Sequence, residues 1–130
     1  MKYKTNANIY LCGPINGCTD GECNDWRSDA KSRFAHTTDP MKRDYRGIEL
    51  ESVNEIVVLD KADVRSCNVV LANCPKPSVG TSMEVFYAWT LDIPVVCVVP
   101  EGTVVSPWLK YHSTKIVNTF EDAYNFIDQL

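Results

Sequence analysis

Two carboxylates stand out by their surroundings in this chain of 130 residues. Glu84 follows Thr81-Ser82-Met83, where apolar residues at helical spacing begin and continue through Leu91. A carboxylate in the first turn of a helix is favoured by the dipole and by free amides; that would hold its pKa low and leave it charged at neutral pH, which suits a nucleophile. The same four residues also form an S/T-x-x-E capping box, in which Glu84 would merely bond the N-cap amide. Asp60 is the complementary case, because it falls in the middle of an apolar stripe made by Val53, Ile56, Val57, Val64 and Cys67. Desolvation there would raise its pKa toward neutrality and suit a proton donor; the plainer reading is that it tips outward to Lys61 or Arg65. One carboxylate kept ionised and another kept protonated is how an enzyme breaks a glycosidic bond by nucleophilic displacement. Tyr10 could bring a hydroxyl to such a pair, or pack in the core with one wet end.

The elements that must position these groups follow from the apolar pattern. Asn8-Ile9-Tyr10-Leu11-Cys12, closed by Gly13-Pro14 with Gly17 and Gly21 behind, predicts a first strand running into a flexible loop. Gly13-Pro14-Ile15-Asn16-Gly17 would let backbone approach a ligand closely. It is neither a G-x-G-x-x-G fingerprint nor a G-x-x-x-x-G-K-[ST] loop, so dinucleotide and NTP readings gain little. A helix is expected from about Asn24 or Asp25 to Phe34, with Trp26, Ala30 and Phe34 on one face. No regular element can be assigned from Ala35 to Leu50, where Thr38-Asp39-Pro40 disfavours a helix and Lys42 to Arg46 reads as a solvated face. Ser52, with Glu55 three residues on, would cap a helix to about Ser66.

Asn68 to Ala72 and Pro94 to Pro100 are continuous apolar runs without alternation, as in strands buried on both sides of a parallel sheet. A short strand near Lys115-Ile116-Val117 and a helix from Phe120 to Leu130 close the chain. Strands alternating with helices imply an α/β fold, a doubly wound, mostly parallel sheet of about five strands with helices on both faces. At roughly 100 to 200 residues per domain, residues 1–130 are expected to form one domain. In such sheets the ligand lies beyond the carboxyl ends of the strands, so the loops after Cys12 and Ala72 are where a site is sought.

Composition narrows the partners. Hydrophobic residues at 45% and charged residues at 23% exclude a disordered, collagen-like or coiled-coil chain. A formal charge of −4 offers no basic field to track a nucleic acid polymer. No apolar run reaches the roughly 20 residues of a membrane span, and Met1-Lys2-Tyr3-Lys4-Thr5 lacks a signal-peptide core, so a cytoplasmic protein is expected. Six cysteines without C-x-x-C pairs read as reduced thiols rather than as a metal site, and His36 and His112 as isolated surface histidines.

Taken together, Ile9-Tyr10-Leu11-Cys12-Gly13-Pro14-Ile15, the Asp60 helix, Asn68 to Asn73 and Pro77-Ser78-Val79-Gly80-Thr81-Ser82-Met83-Glu84-Val85-Phe86-Tyr87-Ala88 resemble the nucleoside 2-deoxyribosyltransferase superfamily. The similarity runs from about Asn8 to Ser106-Pro107-Trp108-Leu109, and Gly80 to Glu84 is its most specific part. That superfamily includes base-exchanging transferases and 5′-nucleotide N-hydrolases. The resemblance implies that Glu84 attacks the anomeric carbon, that Tyr10 orients it, and that Asp60 protonates the leaving base and later activates the acceptor. It places Asp39 and Tyr45 near the nucleobase and implies a homodimer or larger assembly in which Ser106 comes from a neighbouring subunit. No cofactor is implied.

Transferases of this kind usually carry an acid where this chain has Ser78, and the nucleotide hydrolases tend to have serine there, against a 5′-phosphate. Yet Pro14 and Asn16 stand where mammalian-type hydrolases show serine and arginine. Asn16, Ser78 and Ser106 could still hold a phosphate, with charge from Lys42 to Arg46. The substrate expected is therefore a nucleoside or nucleoside 5′-monophosphate together with a free nucleobase. A non-catalytic nucleotide-binding module, with Glu84 only a cap, is the alternative of another class.

Overall fold

The computed structural model describes residues 4–130. Five parallel strands form one sheet: β1 (Asn8–Cys12), β2 (His36–Thr38), β3 (Val69–Asn73), β4 (Val95–Val98) and β5 (Lys115–Val117). Their order is β2-β1-β3-β4-β5, the flavodoxin-like doubly wound arrangement, in which β1 and β3 flank the point where strand order reverses. The helices are α1 (Asp20–Arg33), α2 (Val53–Arg65), α3 (Val79–Thr90), α4 (Pro107–Tyr111) and α5 (Phe120–Asp128).

Strand alternation sorts the core into two layers. Ile9 and Leu11 of β1 pack with Trp26 and Ala30 of α1, with Phe34 at its C-cap, and with Ala123, Tyr124 and Ile127 of α5. Tyr10 and Cys12 point the other way, into a layer with Val64 of α2 and with Val85 and Ala88 of α3. The period-two alternation of β1 thus aims its tyrosine and its cysteine at the helix that carries Glu84.

Several local expectations are corrected. Helix α1 starts at Asp20, earlier than Asn24, because Thr19 and Glu22 form a reciprocal capping box: Glu22 N donates to Thr19 Oγ1 (3.2 Å) and Thr19 N to Glu22 Oε1 (2.9 Å). The unassigned stretch from Ala35 holds the edge strand β2, too short and polar to announce itself, and two 3₁₀ turns at Pro40–Lys42 and Glu49–Glu51. The Ser52 box does not form. The second turn runs straight into α2, Ser52 N bonds Glu49 O, and its side chain caps nothing. The Ser106-Pro107-Trp108-Leu109 segment, which reads as a loop from its sequence, is the start of a helix, with Ser106 Oγ accepting from Trp108 N (3.2 Å). His112 is buried rather than isolated, its Nδ1 2.7 Å from Trp108 O and its ring edge-on to Phe86, Trp89 and Tyr111. All six cysteines are buried free thiols, and no helix among the described residues is long and apolar enough to cross a membrane.

Candidate active site

Where α3 begins decides what Glu84 can do. The N-cap is Ser78, whose Oγ accepts from Thr81 N at 3.4 Å, so Glu84 lies in the second turn, past the unsatisfied amides. The capping-box reading of Thr81 to Glu84 therefore fails. The Glu84 side chain turns back to β1 instead, where the Tyr10 hydroxyl donates to Oε2 and the Cys12 thiol lies 3.7 Å from Oε1.

The expectation of a low Glu84 pKa is also overturned. Although the residue keeps an exposed edge, its carboxylate is enclosed, and desolvation lifts its pKa from the ordinary 4.5 to about 7, against the lowering effect of the Tyr10 hydrogen bond. The negative charge of Asp60 adds to the rise. Tyr10 is fully buried, and burial followed by the Glu84 charge pushes its pKa far up, so it remains a neutral donor.

Asp60 sits on α2 with its side chain 26% exposed. Burial raises its pKa, as the stripe suggested, and Arg43 opposes the rise. Its partner is that Arg43, at 3.6 Å, and neither Lys61 nor Arg65. Most of the stripe around it is unburied: Val53 and Val57 are largely exposed, and only Val64 of α2 is buried. The basic run is no free solvated face either. Lys42 and Arg43 bond Asp63 at 3.3 and 2.6 Å, and Arg46 bonds Asp20 at 2.6 Å and Asp44 at 2.7 Å.

The other predicted residues divide. Gly13 is buried, and a Cβ there would come within 2.8 Å of the Trp26 ring, so packing by itself requires glycine. Pro14 is buried beside it, whereas Asn16 is exposed. Gly80 faces open space at the start of α3. Asp39 accepts from Met41 N (2.8 Å) and pairs with Lys31 (2.5 Å) and Arg27 (3.6 Å). Glu55 of α2 raises the Tyr45 pKa, and the charge of Asp60 adds to the rise. Ser78 and Ser106 line a cavity of about 490 Å³ between α3 and α4, with Thr81, Phe86 and Trp108. Its walls include none of Glu84, Asp60 and Tyr10, so this hollow and the Glu84 carboxylate are separate places.

Two contributors escaped the sequence reading. Cys12 shares the face of Tyr10 two residues earlier, a signal present in the strand period. Arg27 is completely buried; its Nε, Nη1 and Nη2 donate to the carbonyls of Leu11 (3.1 Å), Cys23 (2.7 Å) and Gly13 (3.0 Å), tying α1 to the end of β1. A charge on the face shared by Cys23, Trp26 and Ala30 was its trace.

The strand order places the chain among the doubly wound, flavodoxin-like α/β proteins, with an enclosed carboxylate, Glu84, bonded by Tyr10 of a switch-point strand. The chain belongs to the nucleoside 2-deoxyribosyltransferase family, whose model matches residues 9–125. It is thus an N-glycosyl transferase or hydrolase acting on nucleosides or nucleotides. Among solved structures it is similar to a 2-deoxyribosyltransferase from Bacillus psychrosaccharolyticus, at 15% identity over 92% of this chain and 91% of the other, with a TM-score of 0.73. It is similar to a conserved protein from Enterococcus faecalis V583, at 17% identity over 96% and 99%, TM-score 0.68. A third is the CMP N-glycosidase BcmB of Clostridium botulinum, at 15% identity over 93% and 98%, TM-score 0.57. A comparison with curated protein sequences finds no match.

Proposed function

We propose that this protein cleaves the N-glycosidic bond of a (2′-deoxy)nucleoside through a covalent ribosyl-Glu84 ester and passes the sugar to a second base. Glu84 attacks the anomeric carbon, and the electron pair of the C–N bond leaves with the base, which takes a proton from Asp60. The acceptor then gives its proton to Asp60 as it displaces the ester. One observation carries this reading: the Glu84 carboxylate is gripped by Tyr10 and feels the charge of Asp60, with a pKa of about 7 that leaves it ionised in a substantial fraction at neutral pH.

Hydrolysis of a nucleoside 5′-monophosphate is the second reading, supported by Ser78 and by the likeness to a CMP N-glycosidase. The ion pairs of Lys42, Arg43 and Arg46 favour the uncharged nucleoside, since the cations offered for a phosphate are already engaged with carboxylates. Further supporting features are the outward apolar side chains of α3 and α4, among them Val79, Met83, Trp108 and Tyr111, which suit a face covered by a second copy of the chain in a cytoplasmic homodimer.

The test is chromatography of products from deoxynucleosides and their 5′-monophosphates, each with and without an added base. A new nucleoside that appears only with the acceptor is the expected result. Free base from monophosphates without an acceptor would favour the hydrolase, and intact substrates with every addition would remove the enzymatic assignment of Glu84.

A further inference from the structure

We propose that Cys12 is a positioning residue for Glu84, its thiol holding Oε1 while the ion is present and releasing it to Thr81 when the charge is lost. This rests on the reading of Glu84 as nucleophile, but its geometry stands independently. The Cys12 Sγ lies 3.7 Å from Glu84 Oε1 and 3.8 Å from the Thr81 carbonyl oxygen. One thiol proton therefore has two acceptors in reach, and the Cys12 side chain is fully buried, so no water competes. Burial, then the charge of Glu84, raises the Cys12 pKa well above its ordinary value, so the thiol stays a donor throughout.

The two oxygens of Glu84 are held unequally. Tyr10, a phenol, is the stronger donor to Oε2; a thiol is a weak donor, and Oε1 keeps more of the negative charge. When a carbon–oxygen bond forms at the carboxylate, the charge that attracts the thiol disappears, and the neutral Thr81 carbonyl becomes the better acceptor. When the acceptor displaces the ester, the bonding pair returns to Glu84 and the thiol swings back. No atom of Cys12 is consumed, and no oxidant is needed.

The experiment is a pH titration of the Glu84 carboxyl by carbon NMR on glutamate-labelled protein, with its resonance assigned through Glu84→Gln. Cys12→Ala is expected to raise the Glu84 midpoint by about half a unit, the worth of a weak donor, and Cys12→Ser to restore it. Equal midpoints in all three proteins overturn the proposal. A second readout follows the wild type itself: its S–H stretching band, identified by subtraction of the Cys12→Ser spectrum, moves as Glu84 titrates. A band that stays fixed across that range also overturns it. Neither readout requires turnover, so failure to release base from any substrate would refute the enzymatic reading, whereas the titration alone decides the role of Cys12. In active protein, the acid limb of kcat/KM follows the NMR midpoint in Cys12→Ala; a uniform loss of rate with no shift of that limb would mark Cys12 as packing alone.

Discussion

Replacing Glu84 by glutamine is expected to stabilise the protein, and only at the pH where the wild type is charged. The folded carboxyl titrates at about 7 and the ordinary one at 4.5. Between those values the folded chain keeps a proton that the unfolded chain has released, so stability falls as pH rises through this window. Below 4.5 the penalty is absent, and above 7 it is complete. Two and a half units at 1.36 kcal/mol each set a ceiling of about 3 kcal/mol; because Glu84 keeps an exposed edge, about 2 kcal/mol is the better figure. That is a large part of a total of about 5–15 kcal/mol. Glutamine has the same shape and can still accept from Tyr10, so it removes the charge and little else. Urea unfolding of both proteins at pH 5 and pH 8 measures the effect, and taking the difference between them cancels every other titrating group. The variant should gain about 2 kcal/mol at pH 8 and little at pH 5. An equal difference at both pH values, or a variant that is weaker at pH 8, would refute the claim that burial of this charge strains the fold.

Other outcomes follow from the same geometry. Tyr10→Phe removes a hydrogen bond to a charged group, worth about 1 to 2 pKa units; the ionised fraction of Glu84 at pH 7 drops from about half to about a tenth or less, so kcat/KM should fall at least about five-fold there and recover by about pH 9. A loss independent of pH would contradict this. Arg43→Gln takes away the cation that lowers the Asp60 pKa, so the alkaline limb of the rate profile should move to higher pH; a limb that stays put would mean Asp60 is not the acid being titrated. Gly13→Ala forces the Trp26 ring to yield and should cost about 1–3 kcal/mol in urea unfolding, and an unchanged midpoint would show that the indole moves freely.

The sequence was most readable where burial alone decides the element. The unbroken apolar runs at Val69 to Ala72 and Val95 to Val98 could be little else than central strands, and β1 announced itself by its glycine-proline stop. β2 was invisible because an edge strand of three residues, His36–Thr38, buries too little to leave a pattern. At the site, the identity of Glu84 and Asp60 as unusual carboxylates was legible from their positions among apolar neighbours. Their electrostatics were not. The expected low pKa of Glu84 depended on a helix start that the sequence places three residues too late, at Thr81 rather than Ser78, and on a solvated first turn that folding encloses. The engagement of Arg43 with Asp60 and Asp63 joins residues from an irregular loop to a helix, a long-range choice on which spacing is silent. The same is true of Arg27, whose burial is comprehensible only once three carbonyls are seen to converge on it.

The strand order has a consequence in time. Tyr10 and Glu84 are 74 positions apart in the chain, and β1 lies inside the sheet, between β2 and β3. Closing loops of that length is slow relative to forming the helices themselves. A nascent or partly folded chain can hold α3 with Glu84 facing water, where it titrates as an ordinary glutamate and has no donor on either oxygen. Its displaced pKa is therefore created by the docking of α3 against β1, and a chain that has not closed its sheet carries Glu84 as an ordinary surface acid.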